Sequence, residues 1–187
     1  MTTSLAEMDT VIRELESVDV FQILDIEETR KLAAHARRLS VGPDTRIVTQ
    51  DEAGSSLFVV TSGLLKAYHD EGGRRVELGT LGPTDYFGEM SLLTGAQRSA
   101  TVEAVEATEL FEITKAGLAP LMAGHPTLAA RMGETLTRRQ SSNLRTLMER
   151  PDFGTPAPDE AKNPGPADGA TRVGDRIRSF FKLPRSR

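Results

Sequence analysis

Apolar and polar positions change their rhythm twice along the chain. From Asp25 to Arg38 the spacing is helical. Acidic residues in Asp25-Ile26-Glu27-Glu28 suit the positive end of a helix, Leu32, Ala33 and Ala36 supply an apolar face, and Arg37-Arg38 close it. From Leu39 to Thr114 short β-forming runs replace it: Arg46–Gln50, Leu57–Val60, Leu64–Tyr68, Arg74–Leu78, Ala100–Ala104 and Leu110–Ile113. Turn residues separate them at Gly42-Pro43-Asp44, Gly54-Ser55, Ser62-Gly63, Gly72-Gly73 and Gly82-Pro83. After Thr114 the helical period returns. Leu128, Met132, Leu136, Leu144 and Leu147 form one apolar stripe over Pro126–Arg150. Many short strands with regular turns predict an α+β fold that is mainly β. It is an antiparallel jelly-roll barrel over 39–150, preceded by a helical segment over 1–38 and ending in a C-terminal helix pair.

Composition breaks at Pro151. Residues 151–170 hold five prolines and three glycines and almost nothing apolar. Such a stretch buries too little to offset its ordering entropy, so 151–171 is expected to be a disordered linker. The tail, 172–187, carries six basic residues against one acidic, a net of +5. The whole chain carries −4, which leaves −9 for the rest. Val173, Ile177, Phe180 and Phe181 recur at helical spacing among the tail arginines. A basic amphipathic helix of this kind suits an anionic membrane surface or a protein partner.

Composition narrows the chemistry. The chain of 187 residues has no cysteine, which removes disulfides, thiolate nucleophiles and cysteine metal sites. No apolar run approaches the roughly 20 residues of a membrane helix. The first ten residues lack the apolar stretch of a secretory signal, so a cytoplasmic location is expected. Net negative charge, no tryptophan and 5% aromatics disfavour a nucleic-acid partner. His35, His69 and His125 fall in no metal-binding spacing, and no nucleophile–base–orienter set is visible. No metal and no enzyme activity are expected.

One segment carries recognisable chemistry: Phe87-Gly88-Glu89-Met90-Ser91-Leu92-Leu93-Thr94-Gly95-Ala96-Gln97-Arg98-Ser99. Gly88 permits close backbone approach. Glu89 to Leu93 read as a turn or two of helix stopped at Gly95, and a helix start offers unpaired N–H groups to an anion. Arg98 can fold back over the same point, and a guanidinium suits phosphate. A phosphate would repel Glu89, so its target is a sugar hydroxyl. With Met90 and Leu92 as pocket wall, these groups describe a nucleotide site.

This segment resembles the phosphate-binding cassette of cyclic-nucleotide-binding domains, found in kinase regulatory subunits, catabolite activators and cyclic-nucleotide-gated channels. The likeness spans roughly 15–150 and includes Gly54, Ser62-Gly63 and Leu81-Gly82-Pro83. Asp51 stands where many members carry glycine, and Ser55 where many carry an acid. The resemblance implies cAMP as ligand by family prevalence, with cGMP open because Ser99 keeps a hydroxyl. It implies that Glu89 holds the ribose 2′-hydroxyl and Arg98 the phosphate. The amides of Gly88 and Ser91 join Arg98 there, with Ser99 close by. Val76 and Leu78 resemble the strand positions that touch the base. The helix over Pro126–Arg150 is the expected moving lid, with Arg139 and Leu136 as its contact residues. The Arg-x-Arg-x-Phe-Phe tail is similar to the end of bacterial mechanosensitive-type channels that carry such a domain. That implies a regulatory module controlling a membrane channel at the inner face of the membrane, against a free-standing soluble cAMP receptor acting on a protein partner. The 37 residues after Arg150 do not fit a two-helix DNA reader.

Overall fold

The computed structural model describes residues 5–149. The linker and tail expectations for 151–171 and 172–187 lie outside the described residues, and with them the feature that suggested a channel.

Helix α1 (Leu5–Glu16) leads through a 3₁₀ turn (Asp19–Phe21) to α2 (Ile26–Ala34). Asp25 caps α2 as its residue type predicts. Its carboxylate accepts from the Glu28 amide, and the Glu28 carboxylate accepts from the Asp25 amide, both at 2.9 Å. Such a reciprocal cap contributes about 1 kcal/mol. The second Glu28 oxygen bonds His125 Nε2 at the end of α4, so one carboxylate serves two helix termini.

Eight strands follow: β1 (Ala36–Val41), β2 (Arg46–Val48), β3 (Ser56–Ser62), β4 (Leu65–Glu71), β5 (Arg74–Leu81), β6 (Tyr86–Phe87), β7 (Thr101–Ala104) and β8 (Thr108–Thr114). Helix α3 (Glu89–Thr94) lies between β6 and β7. Helices α4 (Lys115–Gly124) and α5 (Pro126–Met148) follow β8. From Asn143 the described residues complete the last turns of α5. The strands pair antiparallel in two four-stranded sheets, β1-β8-β3-β6 and β2-β7-β4-β5. This is the expected jelly roll, with helices before and after the strands.

Strand β3 explains why Leu57–Val60 is an unbroken apolar run. Phe58 and Val60 face the barrel interior with Leu65, Val102 and Leu110. Leu57 and Val59 face the helices, where Leu15, Phe21, Leu32, Leu128 and Met132 are fully buried or nearly so. A strand with a core on each face has no polar position to alternate with. Each such side chain contributes roughly 1.5–3 kcal/mol by burial.

Two elements depart from the sequence reading. Arg37 and Arg38 do not close a helix. Helix α2 ends at Ala34, and β1 runs from Ala36 to Val41, so the handover from helix to barrel precedes Arg38. Across the ladder Arg37 bonds Glu112 and Arg38 bonds Glu109 at 2.8 Å, and Arg38 also reaches Glu14 of α1 at 2.6 Å. The ladder with β8 makes a strand of a segment whose charges mask its period, and these acids pair those charges. The second departure is β6, two residues long, which pairs with β3 through Phe58↔Phe87 and Val59↔Tyr86.

Candidate ligand-binding site

The site is assembled where β6 turns into α3. The turn before β6 is closed by Asp85, whose carboxylate accepts from the Gly82 amide at 2.9 Å. Gly88 then takes φ +88°, and a Cβ there would stand 2.6 Å from both the Ser56 carbonyl and Arg98 Nη1. Only glycine fits this conformation and this space. Helix α3 starts at Glu89 and stops at Gly95, which is left-handed at φ +70° and donates to the Ser91 carbonyl at 2.9 Å. The first helical bond runs from the Leu92 amide to the Gly88 carbonyl at 3.2 Å. The amides of Glu89, Met90 and Ser91 therefore precede the helical ladder.

Arg98 is only 7% exposed. Its Nη1 donates to the Gly88 carbonyl at 3.1 Å and its Nη2 to the Ser56 carbonyl at 3.0 Å. The guanidinium lies 5.7 Å from the ring centre of Phe58, which stacks on Phe87. A Cβ on Gly54 would fall 2.1 Å from Arg98 Nε, so Gly54 leaves the room the side chain occupies. The backbone is held as firmly. The Arg98 amide donates to the Glu52 carbonyl at 2.8 Å, and the Arg98 carbonyl accepts from the Asp51 amide at 2.9 Å. Asp51 adopts φ +66°, a left-handed conformation that glycine takes most easily. Burial pulls the Arg98 pKa below its ordinary value, and the fields of Glu89 and Glu112 oppose that in part. An arginine stays charged regardless. Among the described residues this buried cation forms no ion pair.

Glu89 is 2% exposed. The sequence left it no partner but a sugar. The structure supplies another: Arg139 Nη1 of α5 donates to Glu89 Oε1 at 2.9 Å while its guanidinium lies 5.1 Å from the Tyr86 ring centre. Of the two expected lid residues, Arg139 thus meets the cassette; Leu136 is half-buried on the same helix. Ser91 is buried, and its hydroxyl has no hydrogen-bond partner among the described residues. The Ser99 hydroxyl lies 3.1 Å from Met90 Sδ, joining the two ends of the cassette.

Val76 and Leu78 are on β5. Val76 is buried yet belongs to neither apolar core, and it pairs with His69 of β4. Leu78 sits at a bulge, where β5 carries one residue more than β4 between Glu77 and Gly79. The site thus gathers Gly88, Glu89, Met90, Ser91, Arg98 and Ser99, while Val76 and Leu78 lie on the neighbouring hairpin of β4 and β5. Reading the sequence missed the Ser56 carbonyl and Glu112, whose carboxylate accepts from the Ser56 hydroxyl at 2.7 Å. Neither a backbone acceptor nor a residue distant in sequence has a local signal.

Residues 38–125 match the cyclic nucleotide-binding domain. This segment belongs to that family. The cyclic AMP receptor protein of Thermus thermophilus is 33% identical over 121 residues, 64% of this chain and 56% of that protein. A cGMP-dependent 3′,5′-cGMP phosphodiesterase A of Dictyostelium discoideum is 30% identical over 115 residues, 62% of this chain but 13% of that one. The regulatory domain of Toxoplasma gondii PKA, co-crystallised with cAMP, superimposes with a TM-score of 0.60 at 25% identity. That match covers 64% of this chain and 46% of the other. The chain spans about half the first of these relatives and a small part of the second, so the shared element is the domain. None of the three is named as a channel. Among the described residues no helix is long and apolar enough to cross a membrane.

Proposed function

We propose that this domain is a cyclic-nucleotide receptor, with cAMP as the first ligand to test and cGMP as the second, and that it regulates rather than catalyses. The observation that carries the reading is Arg98: a buried, oriented guanidinium without an ion-pair partner among the described residues, beside amides that open a helix. Charge buried without a counterion is costly, and a phosphate diester at that point supplies one through charge-assisted bonds. Glu89 then takes the ribose 2′-hydroxyl, Ser99 and the amides of Gly88 and Ser91 support the phosphate, and Val76, Leu78 and Met90 wall the base.

A carboxylate has two oxygens. Arg139 uses Oε1 of Glu89, and a ribose hydroxyl can use Oε2, so ligand and α5 meet on one side chain. Ligand binding shifts α5 only through such differential contacts. Both effectors considered from the sequence, a membrane channel and a soluble protein partner, would read the same displacement of α5.

Calorimetric titration of the full chain with cAMP and cGMP tests the reading directly. Hydrogen bonds to a charged group are worth about 1.5–3 kcal/mol, so Arg98→Ala should weaken binding at least tenfold. Equal affinity of the variant and the parent rejects the assignment.

A further inference from the structure

Arg98 depends for one of its two fixed bonds on a carbonyl at the start of a strand. Ser56 is the first residue of β3, and its carbonyl accepts from Arg98 Nη2 at 3.0 Å. The ends of an element open more readily than its middle. Whatever steadies Ser56 therefore steadies the guanidinium. Two contacts do so. The Lys115 amide donates to the Ser55 carbonyl at 2.8 Å, a backbone bond that depends on neither side chain. The other is made by side chains: the Ser56 hydroxyl donates to Glu112 Oε1 at 2.7 Å.

The sheet register brings Glu112 there. Across β1, β8, β3 and β6 one row reads Arg37, Glu112, Phe58, Phe87. The row faces the barrel, because Phe58 and Phe87 belong to its core. Side chains alternate along a strand, so Ser56 shares this face with Phe58 and is the diagonal neighbour of Glu112. An acid in such a row needs partners, and Glu112 has one for each oxygen. Its Oε2 accepts from Arg37 Nε at 3.0 Å, and Arg37 is exposed. Its Oε1 takes the hydroxyl of Ser56, which is buried. On the other side of Phe58 stands the Arg98 guanidinium, 5.7 Å from the ring centre. Ser56 thus carries Glu112 on its hydroxyl and Arg98 on its carbonyl. A guanidinium is rigid and planar, with five N–H donors. Two of them go to the Gly88 and Ser56 carbonyls, so the direction of the others follows from where those carbonyls stand.

We propose that Glu112 is a positioning residue for this site: by holding the Ser56 hydroxyl it fixes the Ser56 carbonyl, and through that carbonyl the edge that Arg98 offers to a phosphate. The inference rests on the reading of the site as a cyclic-nucleotide receptor and adds a residue of β8 to it. Glu112 acts only through Ser56 and Arg98, so it affects ligands with the same cyclic phosphate alike, whatever the base. What it must supply is an acceptor oxygen.

The test is titration of cAMP and cGMP into the full chain as wild type, Ser56→Ala, Glu112→Ala, Glu112→Gln and the double variant Ser56→Ala/Glu112→Ala. We expect Ser56→Ala and Glu112→Ala each to weaken both ligands about fivefold to tenfold, the loss of one hydrogen bond to a charged group. Glu112→Gln keeps the acceptor and should stay within about threefold of wild type. The double variant should be no weaker than either single one, because the two changes remove the same bond. In an Arg98→Ala background, Glu112→Ala should cost nothing further, which a general loss of structure would not reproduce. Should Glu112→Ala fail to fold, Ser56→Ala carries the test, with Ser56→Thr restoring the hydroxyl and the affinity. Wild-type affinity in Ser56→Ala, additive losses in the double variant, an equal loss in Glu112→Gln and Glu112→Ala, or a loss confined to one base overturns the inference alone. A wild-type chain that binds neither nucleotide overturns the reading on which it rests.

Discussion

At the scale of single residues, Arg98 is positioned by what its neighbours lack. Gly54 and Gly88 have no Cβ, and each missing carbon is replaced by part of the guanidinium. Gly54 carries no positive-φ requirement, so its constraint is purely steric. Gly54→Ala would put a carbon 2.1 Å from Arg98 Nε, far inside contact distance, and the arginine is the softer party. We expect the fold to survive, with a thermal midpoint within a few degrees of wild type, while cAMP affinity falls at least tenfold as Arg98 leaves its carbonyl acceptors. Calorimetry beside a melting curve checks both; unchanged affinity would mean that Arg98 is free to relocate without loss.

At the scale of elements, the bond between Arg139 and Glu89 joins α5 to the cassette, and the proposed receptor function makes that bond the place where α5 would sense a ligand. Its first turns are anchored by Leu128 and Met132 in the helical core. Arg139, further along, is its polar contact with α3. Backbone exchange over Pro126–Met148 should slow when cAMP is added, because the ligand stiffens the side chain that Arg139 holds. In Arg139→Ala that slowing should shrink or vanish while protection in α3 remains. Protection confined to the cassette in the wild type would remove α5 from the mechanism. The junction before α5 is tied down as well, through His125 and the Glu28 cap of α2, so the helix has a tethered base and carries Arg139 to Glu89 beyond it.

At the scale of the whole molecule, the ionisable groups predict how stability follows pH. The backbone bond from Asp25 and the bond from His125 pull Glu28 below the ordinary 4.5. Burial pushes Glu103 and Glu112 up, but hydroxyl and arginine partners outweigh it: Tyr68 and Arg46 for Glu103, Ser56 and Arg37 for Glu112. Both end below 4.5. Depressed carboxylates stabilise the fold above their unfolded pKa, and that contribution is lost as pH falls through the folded value. His69 is also depressed, from 6.5, chiefly by burial. Below 6.5 the unfolded chain takes up this proton more readily than the folded one, so stability falls there first. Denaturant midpoints should therefore decline in two windows, one starting near pH 6.5 and one below about 4.5. His69→Gln should flatten the first and spare the second. A midpoint unchanged from pH 7 to 5 would contradict the buried, neutral state of His69.

The division between sequence and tertiary structure follows the range of each interaction. Local chemistry was readable in order. Gly88 and Gly95 bracket a short helix because both need a left-handed backbone, Asp25 caps α2, and turn residues punctuate the strands. The β3 run announced a strand, though not that it separates two cores. Strand β1 was illegible because its arginines mimic a helix end, and the β8 ladder that pairs it lies some 70 positions on. The same holds in the site. The residue types of Glu89 and Arg98 pointed to an anion and a hydroxyl from their spacing alone. That Arg98 rests on the carbonyls of Gly88 and Ser56 and that Glu89 is held by Arg139 are matters of the folded chain. Each joins segments from 10 to 50 residues apart, and hydrogen bonds to backbone or across a barrel leave no periodicity in the sequence from which they could be read.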